Sequence, residues 1–347
     1  MTRQGQHIFV LGYPGDVGGA STECWHTLKL WRSHGVQVTL IPTWTRPADK
    51  WLECTASIGC ETIHASPTAL PACVRGGVCV AFCNTRFLDH ARWFLDNGCR
   101  IIWVPCMNWV WPQERLLYAK RGVFDAYVFQ SRFCWAHQTP QLAKFGYRPE
   151  QGHIIPGAFD VDEFPFNPRP HAPGQPFVVG RLSRAADDKY SRATWDIYRW
   201  IKEPRTARVM AWDDEIEEVL GKPPEWAECL PAGAESSKDF LASLHCIVQS
   251  AHGHCCENWP RVGLEAMASG VPLIVDDRGG WREMLRHGKT GFLCESPTHM
   301  ADHASRLAGN EALRQNVARA ARAAVKQLAA PEPIWRGWEQ VFKEVGT

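Results

Sequence analysis

The chain has 347 residues, enough for two domains at about 150 residues each, and its 45% hydrophobic and 22% charged residues exclude disordered, collagen-like and coiled-coil classes. Lys plus Arg at 38 against Asp plus Glu at 37 leave a net charge of +1, so no overall field drives binding to a nucleic-acid backbone or an anionic membrane. Residues 1–160 hold 15 basic and 11 acidic residues, a net +4, and the remainder nets −3. Fourteen cysteines fall short of a disulfide scaffold, and the amino-terminal apolar run is too short for a signal-peptide core. A reduced, cytoplasmic chain is expected. No apolar stretch approaches the roughly 18 residues of a spanning helix, so any membrane contact would be peripheral.

In chain order, His7 to Gly12 is a short apolar run closed by glycine, and Thr22 to Ser33 carries Trp25, Leu28 and Trp31 at helical spacing. The strand signal returns at 36–42, 78–83, 100–104, 126–130 and 153–156, with a helical stretch at Leu88 to Asn97. Alternation of this kind implies a parallel sheet. A Pro-rich stretch follows, with Pro165, Pro168, Pro170, Pro173 and Pro176. Strand signals then resume at 177–180, 208–212, 246–249, 271–275 and 291–293. The last segment sets Ile334, Trp335, Trp338, Phe342 and Val345 on one helical stripe behind Pro331 and Pro333.

This pattern predicts an α/β protein of two doubly wound, Rossmann-like domains. The first spans 1–165, a linker 166–175 and the second 176–330, with the helix of 331–347 crossing back to the first.

Chemistry concentrates at Ser250 to Gly270. Pro260 suits a first helical position, Leu264 and Ala266 to Ala268 are good helix formers, and Gly270 before Pro272 ends the helix. Glu257 then lies in the loop before a helix and Glu265 on it. The unpaired N–H groups and partial positive charge of a helix amino terminus suit a phosphate, and Arg261 strengthens that site.

Glu257 and Glu265, followed by Ala-Met-Ala-Ser-Gly-Val-Pro, resemble the paired-glutamate signature of retaining GT-B glycosyltransferases of family 4. Further segments are similar to that family in the same order. These are the glycine loop Gly15-Asp-Val-Gly-Gly-Ala20, Ile155-Pro-Gly-Ala-Phe-Asp160 with Phe164, Gly180-Arg-Leu-Ser183 with Lys189, Asp276 to Gly280 with Glu283, and His287-Gly-Lys-Thr-Gly-Phe-Leu293. Five motifs in order are specific where one would not be.

The resemblance implies two domains facing across a cleft, the first binding acceptor and the second a nucleotide-sugar donor. It also implies transfer with retention to a hydroxyl acceptor, and the lack of a convincing ligand set implies catalysis without cofactor or metal. By the same resemblance Glu257 contacts the donor sugar and Glu265 the ribose hydroxyls. Arg181 and Lys189 supply the cations that stabilise the leaving diphosphate, and Asn258, Arg261, Val262, Gly18 and Gly19 complete the donor side.

The chain departs from the family where Trp259-Pro260 replaces an aromatic-glycine step and where Arg184 to Asp188 lengthen the segment before Lys189, which leaves Arg184 as an alternative cation. No histidine stands in Trp103 to Asn108, so Asn108 and Trp109 are the acceptor-side candidates. Trp103, Trp109 and Trp111 together offer aromatic faces to a sugar ring or nucleobase.

His252, His254, Cys255 and Cys256 contain zinc-ligand types, but adjacent cysteines with no second half-site suit one tetrahedral ion poorly. Asp160-Val-Asp162 reads as structural. A carbohydrate or small glycoside is the favoured acceptor, with a modified nucleic-acid base as the alternative. A nucleotide-binding module and an NAD-dependent oxidoreductase are more distant readings, the latter lacking Gly-x-Gly-x-x-Gly.

Overall fold

The computed structural model describes residues 6–15, 18–42, 46–65, 69–172 and 174–346. The chain forms two compact units, Met1–Phe159 together with Ala330–Thr347, and Asp160–Ala329.

The first unit is built on seven parallel strands: β1 (His7–Leu11), β2 (Gln37–Ile41), β3 (Glu61–Thr62), β4 (Val78–Phe82), β5 (Arg100–Val104), β6 (Ala126–Phe129) and β7 (Gly152–Ile154). Their order is β3-β2-β1-β4-β5-β6-β7, so the direction of winding reverses between β1 and β4. Helices α1 (Gly19–Ser33), α2 (Asp49–Ser57), α3 (Thr85–Asp96), α4 (Pro112–Arg121) and α5 (Arg132–Leu142) connect them. Central strands read as unbroken apolar runs because both faces are covered. In β1, Ile8 and Val10 enter the core shared with α1, whereas Phe9 and Leu11 enter the opposite core with Phe87 and Phe94 of α3. Asn84 caps α3 through Phe87 N–H at 3.2 Å, and Ser131 caps α5 through Cys134 N–H at 3.0 Å.

The second unit has six parallel strands: β8 (Phe177–Leu182), β9 (Arg205–Met210), β10 (Ala227–Leu230), β11 (Cys246–Gln249), β12 (Leu273–Asp276) and β13 (Phe292–Cys294). Their order is β10-β9-β8-β11-β12-β13, with the reversal between β8 and β11. The helices are α6 (Thr194–Arg199), α7 (Asp214–Leu220), α8 (Ser237–Ala242), α9 (Arg261–Ser269), α10 (Trp281–Met284), α11 (Pro297–Ala308) and α12 (Glu311–Leu328).

Helix α13 (Pro331–Gly346) belongs to the first unit. Its stripe of Ile334, Trp338, Val341, Phe342 and Val345 is buried in the same core as Ile8, Val10 and Trp31. Trp31 meets Trp338 edge-on at 4.8 Å and Phe342 at 5.1 Å. Such aromatic contacts add about 0.5–1.5 kcal/mol to area burial.

The division between units falls after Phe159, earlier than residue 165, and the Pro-rich segment expected as a linker is part of the second unit. Asn167 N–H bonds to Ser269 O at 3.1 Å, and the Arg314 guanidinium donates to Arg169 O. Pro173 of that segment lies outside the described residues. Pro260 is the N-cap of α9, with the helix beginning at Arg261, one residue later than the sequence pattern places it. Among the described residues no helix is long and apolar enough to cross a membrane.

Candidate functional site

In a doubly wound sheet the loops leaving the two strands at the reversal splay apart and open a crevice. In the second unit those loops follow β8 and β11, and they carry Lys189 and Glu257. Lys189 ends a single 3-10 turn, Asp187–Lys189, and its Nζ lies 2.8 Å from Glu257 Oε1. Both side chains are mostly buried, at 14% and 20% exposure. Burial alone would lower the Lys189 pKa, but the charge and hydrogen bond of Glu257, helped by Cys255 and Asp188, leave it raised. Lys189 is therefore a fixed cation. Arg184 is exposed and stands outside this pair.

Arg181 does not present a cation. It is fully buried at the end of β8, where Nη1 donates to Ser250 O at 2.9 Å, Nη2 donates to Lys189 O, and the guanidinium lies 4.2 Å from the Tyr190 ring centre. Its guanidinium joins the two loops at the reversal, whereas the sequence pattern expects it beside a leaving group. Tyr190 and Ser250 carry no sequence signal for this role, because the partnership depends on which way the Arg181 side chain turns.

The Glu257 loop is held from the β12 side. Asp276 accepts from Ser250 Oγ and Ala251 N, both at 2.9 Å, while Arg278 bonds to Asp276 at 2.7 Å, Gly253 O at 2.6 Å and Ala251 O at 2.8 Å. Behind them the backbone of Gly279 and Gly280 presses on Glu257 and Asn258, with Gly280 N–H donating to Glu257 O at 2.6 Å. A Cβ at Gly280 would lie 1.7 Å from Asn258 O, and Gly279 has φ +59°, so glycine is required at both.

Helix α9 starts beside this loop. Asn258 and Arg261 are buried, and Val262 is partly exposed. Gly270 closes the helix in the left-handed conformation at φ 85°, as its place before Pro272 predicts. Glu265 is buried on the helix, and burial, eased by Arg261, raised by Glu163 and eased again by Lys238, pushes its pKa up to about 7. Lys189 thus pairs with Glu257, Asn258 lies in the loop that leads into α9, Arg261 and Val262 begin the helix, and Glu265 lies one turn further along it.

His252 and His254 are exposed on the same loop, and Cys255 Sγ lies 3.7 Å from Asp188 Oδ2. Among the described residues no three His, Cys, Asp or Glu side chains are placed to share a metal ion. Asp160 caps a turn through Asp162 N–H at 3.1 Å, a structural role.

The remaining candidates belong to the first unit. Gly18, at φ 113° and ψ 144°, is the N-cap of α1, a conformation open to glycine alone, and Gly19 is the exposed first residue of that helix. Asp16 and Val17 of this loop lie outside the described residues. Asn108 is partly exposed and Trp109 is 38% exposed, its ring 5.5 Å from Trp111. Trp103 is fully buried against Phe87 and Phe124, so it cannot offer a face to a ligand.

Two doubly wound units, one with a fixed cation, two carboxylates and a helix amino terminus at its strand-order reversal, make an α/β protein whose second unit carries a site chemically suited to an anionic group. Residues 233–324, which include Glu257, Glu265 and all of α9, match the model described as glycosyl transferases group 1.

The chain is 40% identical over 91 residues to N-acetyl-alpha-D-glucosaminyl L-malate synthase of Bacillus anthracis, covering 26% of this chain and 24% of that protein. It is 32% identical over 111 residues to the human alpha-1,3/1,6-mannosyltransferase ALG2, covering 32% of this chain and 26% of that protein. The matches span about a quarter of the length of either relative. The fold resembles that of Anabaena HepE solved with UDP-glucose, with TM-score 0.76 and 16% identity over 96% of this chain and 99% of that one. It also resembles the sucrose-phosphate synthase of Thermosynechococcus elongatus, with TM-score 0.72 and 15% identity over 98% and 99%. The fold is GT-B.

Proposed function

We propose that the protein is a glycosyltransferase that moves a sugar from a nucleotide-sugar donor to a hydroxyl acceptor with retention at the anomeric carbon. The Lys189–Glu257 pair at the β8/β11 reversal, beside the amino terminus of α9, is the observation that carries this reading. Breaking the bond to a diphosphate builds negative charge on the leaving group, and a preorganised cation with helix N–H groups stabilises that charge without reorganisation. Lys189 and the backbone around Arg261 and Val262 take that role, Glu257 faces the donor sugar, and Glu265 accepts from the ribose hydroxyls. Arg181 is a positioning residue that holds the Lys189 loop. With the Lys189 cation and these N–H groups in place, no divalent ion is required.

A carbohydrate or small glycoside is the acceptor this reading favours over a modified nucleic-acid base. The basic side chains of the first unit are partly committed, since Arg32 bonds inward to Ile58 O at 2.9 Å and Arg92 and Arg121 share Asp96. Committed charges release few counterions from a polyanion. The test is proton NMR of the first-formed product from an α-linked donor, with and without EDTA. An α product in both conditions supports the proposal, whereas a β product, or activity lost in EDTA and restored by Mn²⁺, overturns it.

A further inference from the structure

The first unit carries a cluster of thiols that the transfer reaction does not use. Strands β4 and β5 pair in parallel register with Phe82 opposite Val104. Cys83 and Cys106 leave these neighbouring strands one and two residues later, at the carboxyl edge of the sheet. Cys83 N–H donates to Val104 O at 2.9 Å and the Cys106 thiol reaches the same carbonyl at 3.7 Å, so both residues converge on one point. The two thiols are close enough that each shifts the acidity of the other.

Cys83 has φ 45°, the one non-glycine residue with positive φ among the described residues of this unit. Holding a side chain there costs about 1–3 kcal/mol and persists only where the surroundings enforce it. The surroundings here are polar. Gln130 Nε2 donates to Cys106 Sγ at 3.2 Å and to the Glu23 carboxylate. The hydrogen bond from Cys106, helped by Trp111 and opposed by burial, lowers the Cys83 pKa, while Cys106 is raised by the same bond and by burial. Both residues are half-buried. By contrast Cys79 and Cys99, which perturb each other's acidity in the same way, are buried in the core.

We propose that Cys83 and Cys106 are a modification site, a dithiol that a small-molecule disulfide oxidises reversibly to an intramolecular disulfide. The Cys83 thiolate attacks one sulfur of the small disulfide, forming a mixed disulfide and expelling a thiolate. Cys106 then attacks the Cys83 sulfur, and the second thiolate leaves. The protein thiols lose two electrons and two protons, and the small disulfide is reduced to two thiols. The new bond ties the end of β4 to the start of the loop that carries Asn108 and Trp109. This inference stands independently of the transfer reaction.

The test incubates the full-length chain in glutathione buffers of graded disulfide-to-thiol ratio, quenches in acid, alkylates free thiols and maps peptides by mass spectrometry. The exposed Cys73 reports that oxidant was available. The expected result is a Cys83–Cys106 crosslink that appears with the oxidant and reverses on reduction. Cys106→Ser should trap glutathione on Cys83, Cys83→Ser should leave Cys106 reduced, and Cys79→Ser should not change the crosslink. A chain in which Cys73 is glutathionylated while Cys83 and Cys106 stay reduced at every ratio overturns the proposal. So does a Cys106→Ser variant whose Cys83 fails to trap glutathione.

Discussion

Replacing Glu265 by glutamine separates what its buried carboxyl costs the fold from what it gives the site. Burial, with the smaller effects of Arg261, Glu163 and Lys238, moves the pKa of this group from 4.5 to about 7. A difference of about 2.5 units at about 1.36 kcal/mol per unit is about 3 kcal/mol. Below pH 4.5 both folded and unfolded chains hold the proton, so the shift changes nothing. Between the two values the unfolded chain releases its proton while the folded chain keeps it, and stability falls as pH rises. Above about 7 both states are ionised and the whole cost remains. Glu265→Gln removes the titration, so the variant should be more stable than wild type by up to about 3 kcal/mol at pH 8 and equal to it near pH 4.5. Urea unfolding of both proteins from pH 4.5 to 8.5, followed by circular dichroism, measures this difference. Parallel pH dependences, or a variant less stable than wild type at pH 8, would refute the assigned burial cost.

The same carboxyl should ionise when ribose hydroxyls donate to it, so donor binding should release a proton below pH 7 and tighten as pH rises through 7. Calorimetric titrations in buffers of different ionisation enthalpy measure that proton. Gly280→Ala should abolish activity, since its Cβ would lie 1.7 Å from Asn258 O and must displace the Glu257 loop, a change visible as loss of donor binding in a chain that still folds. Arg181→Met should act mainly on stability, by about 3 kcal/mol or more, because it leaves the Ser250 and Lys189 carbonyls without their buried donor. A variant with wild-type unfolding and a purely kinetic defect would contradict the positioning role. Trp338→Ala should cost about 3–5 kcal/mol in thermal or urea unfolding, as truncation of a large buried aromatic does, and unchanged stability would show that α13 does not seal its core.

The central strands were legible because strands covered on both faces read as apolar runs, and β11 occupies the same four residues, 246–249, that its sequence pattern marks. Two of the four edge strands were not: β3 has two residues and β10 reads Ala-Glu-Cys-Leu, too short or too polar to stand out, whereas the edge strands β7 and β13 fall on the signals at 153–156 and 291–293. Helix α5 escaped notice for another reason, with Pro140 inside it and little segregation of apolar residues to one face.

At the site, the ordered motifs placed Lys189, Glu257 and Glu265 in one unit, and Pro260 and Gly270 marked the ends of α9. What they could not convey is side-chain direction. Nothing in Gly180-Arg-Leu-Ser183 shows that Arg181 turns inward to two carbonyls, and nothing in Arg100 to Val104 shows that Trp103 points into a core beside Phe87. The perturbed acidity of Glu265 is likewise a tertiary effect, set by the burial of α9 and by Glu163 about 100 residues earlier in the chain.

Protection against unfolding by nucleotide sugars tests the account most directly, because it asks whether the end of α9 binds a donor at all. UDP-, GDP- and ADP-sugars are compared on wild type and on Lys189→Ala. A ligand at 100 times its dissociation constant should stabilise the folded chain by about 2.7 kcal/mol. The account predicts that one nucleotide class protects wild type, that the same nucleotide diphosphate protects without its sugar, and that Lys189→Ala loses at least about 100-fold in affinity. Absence of protection by every nucleotide sugar, or equal protection of wild type and Lys189→Ala, would contradict it.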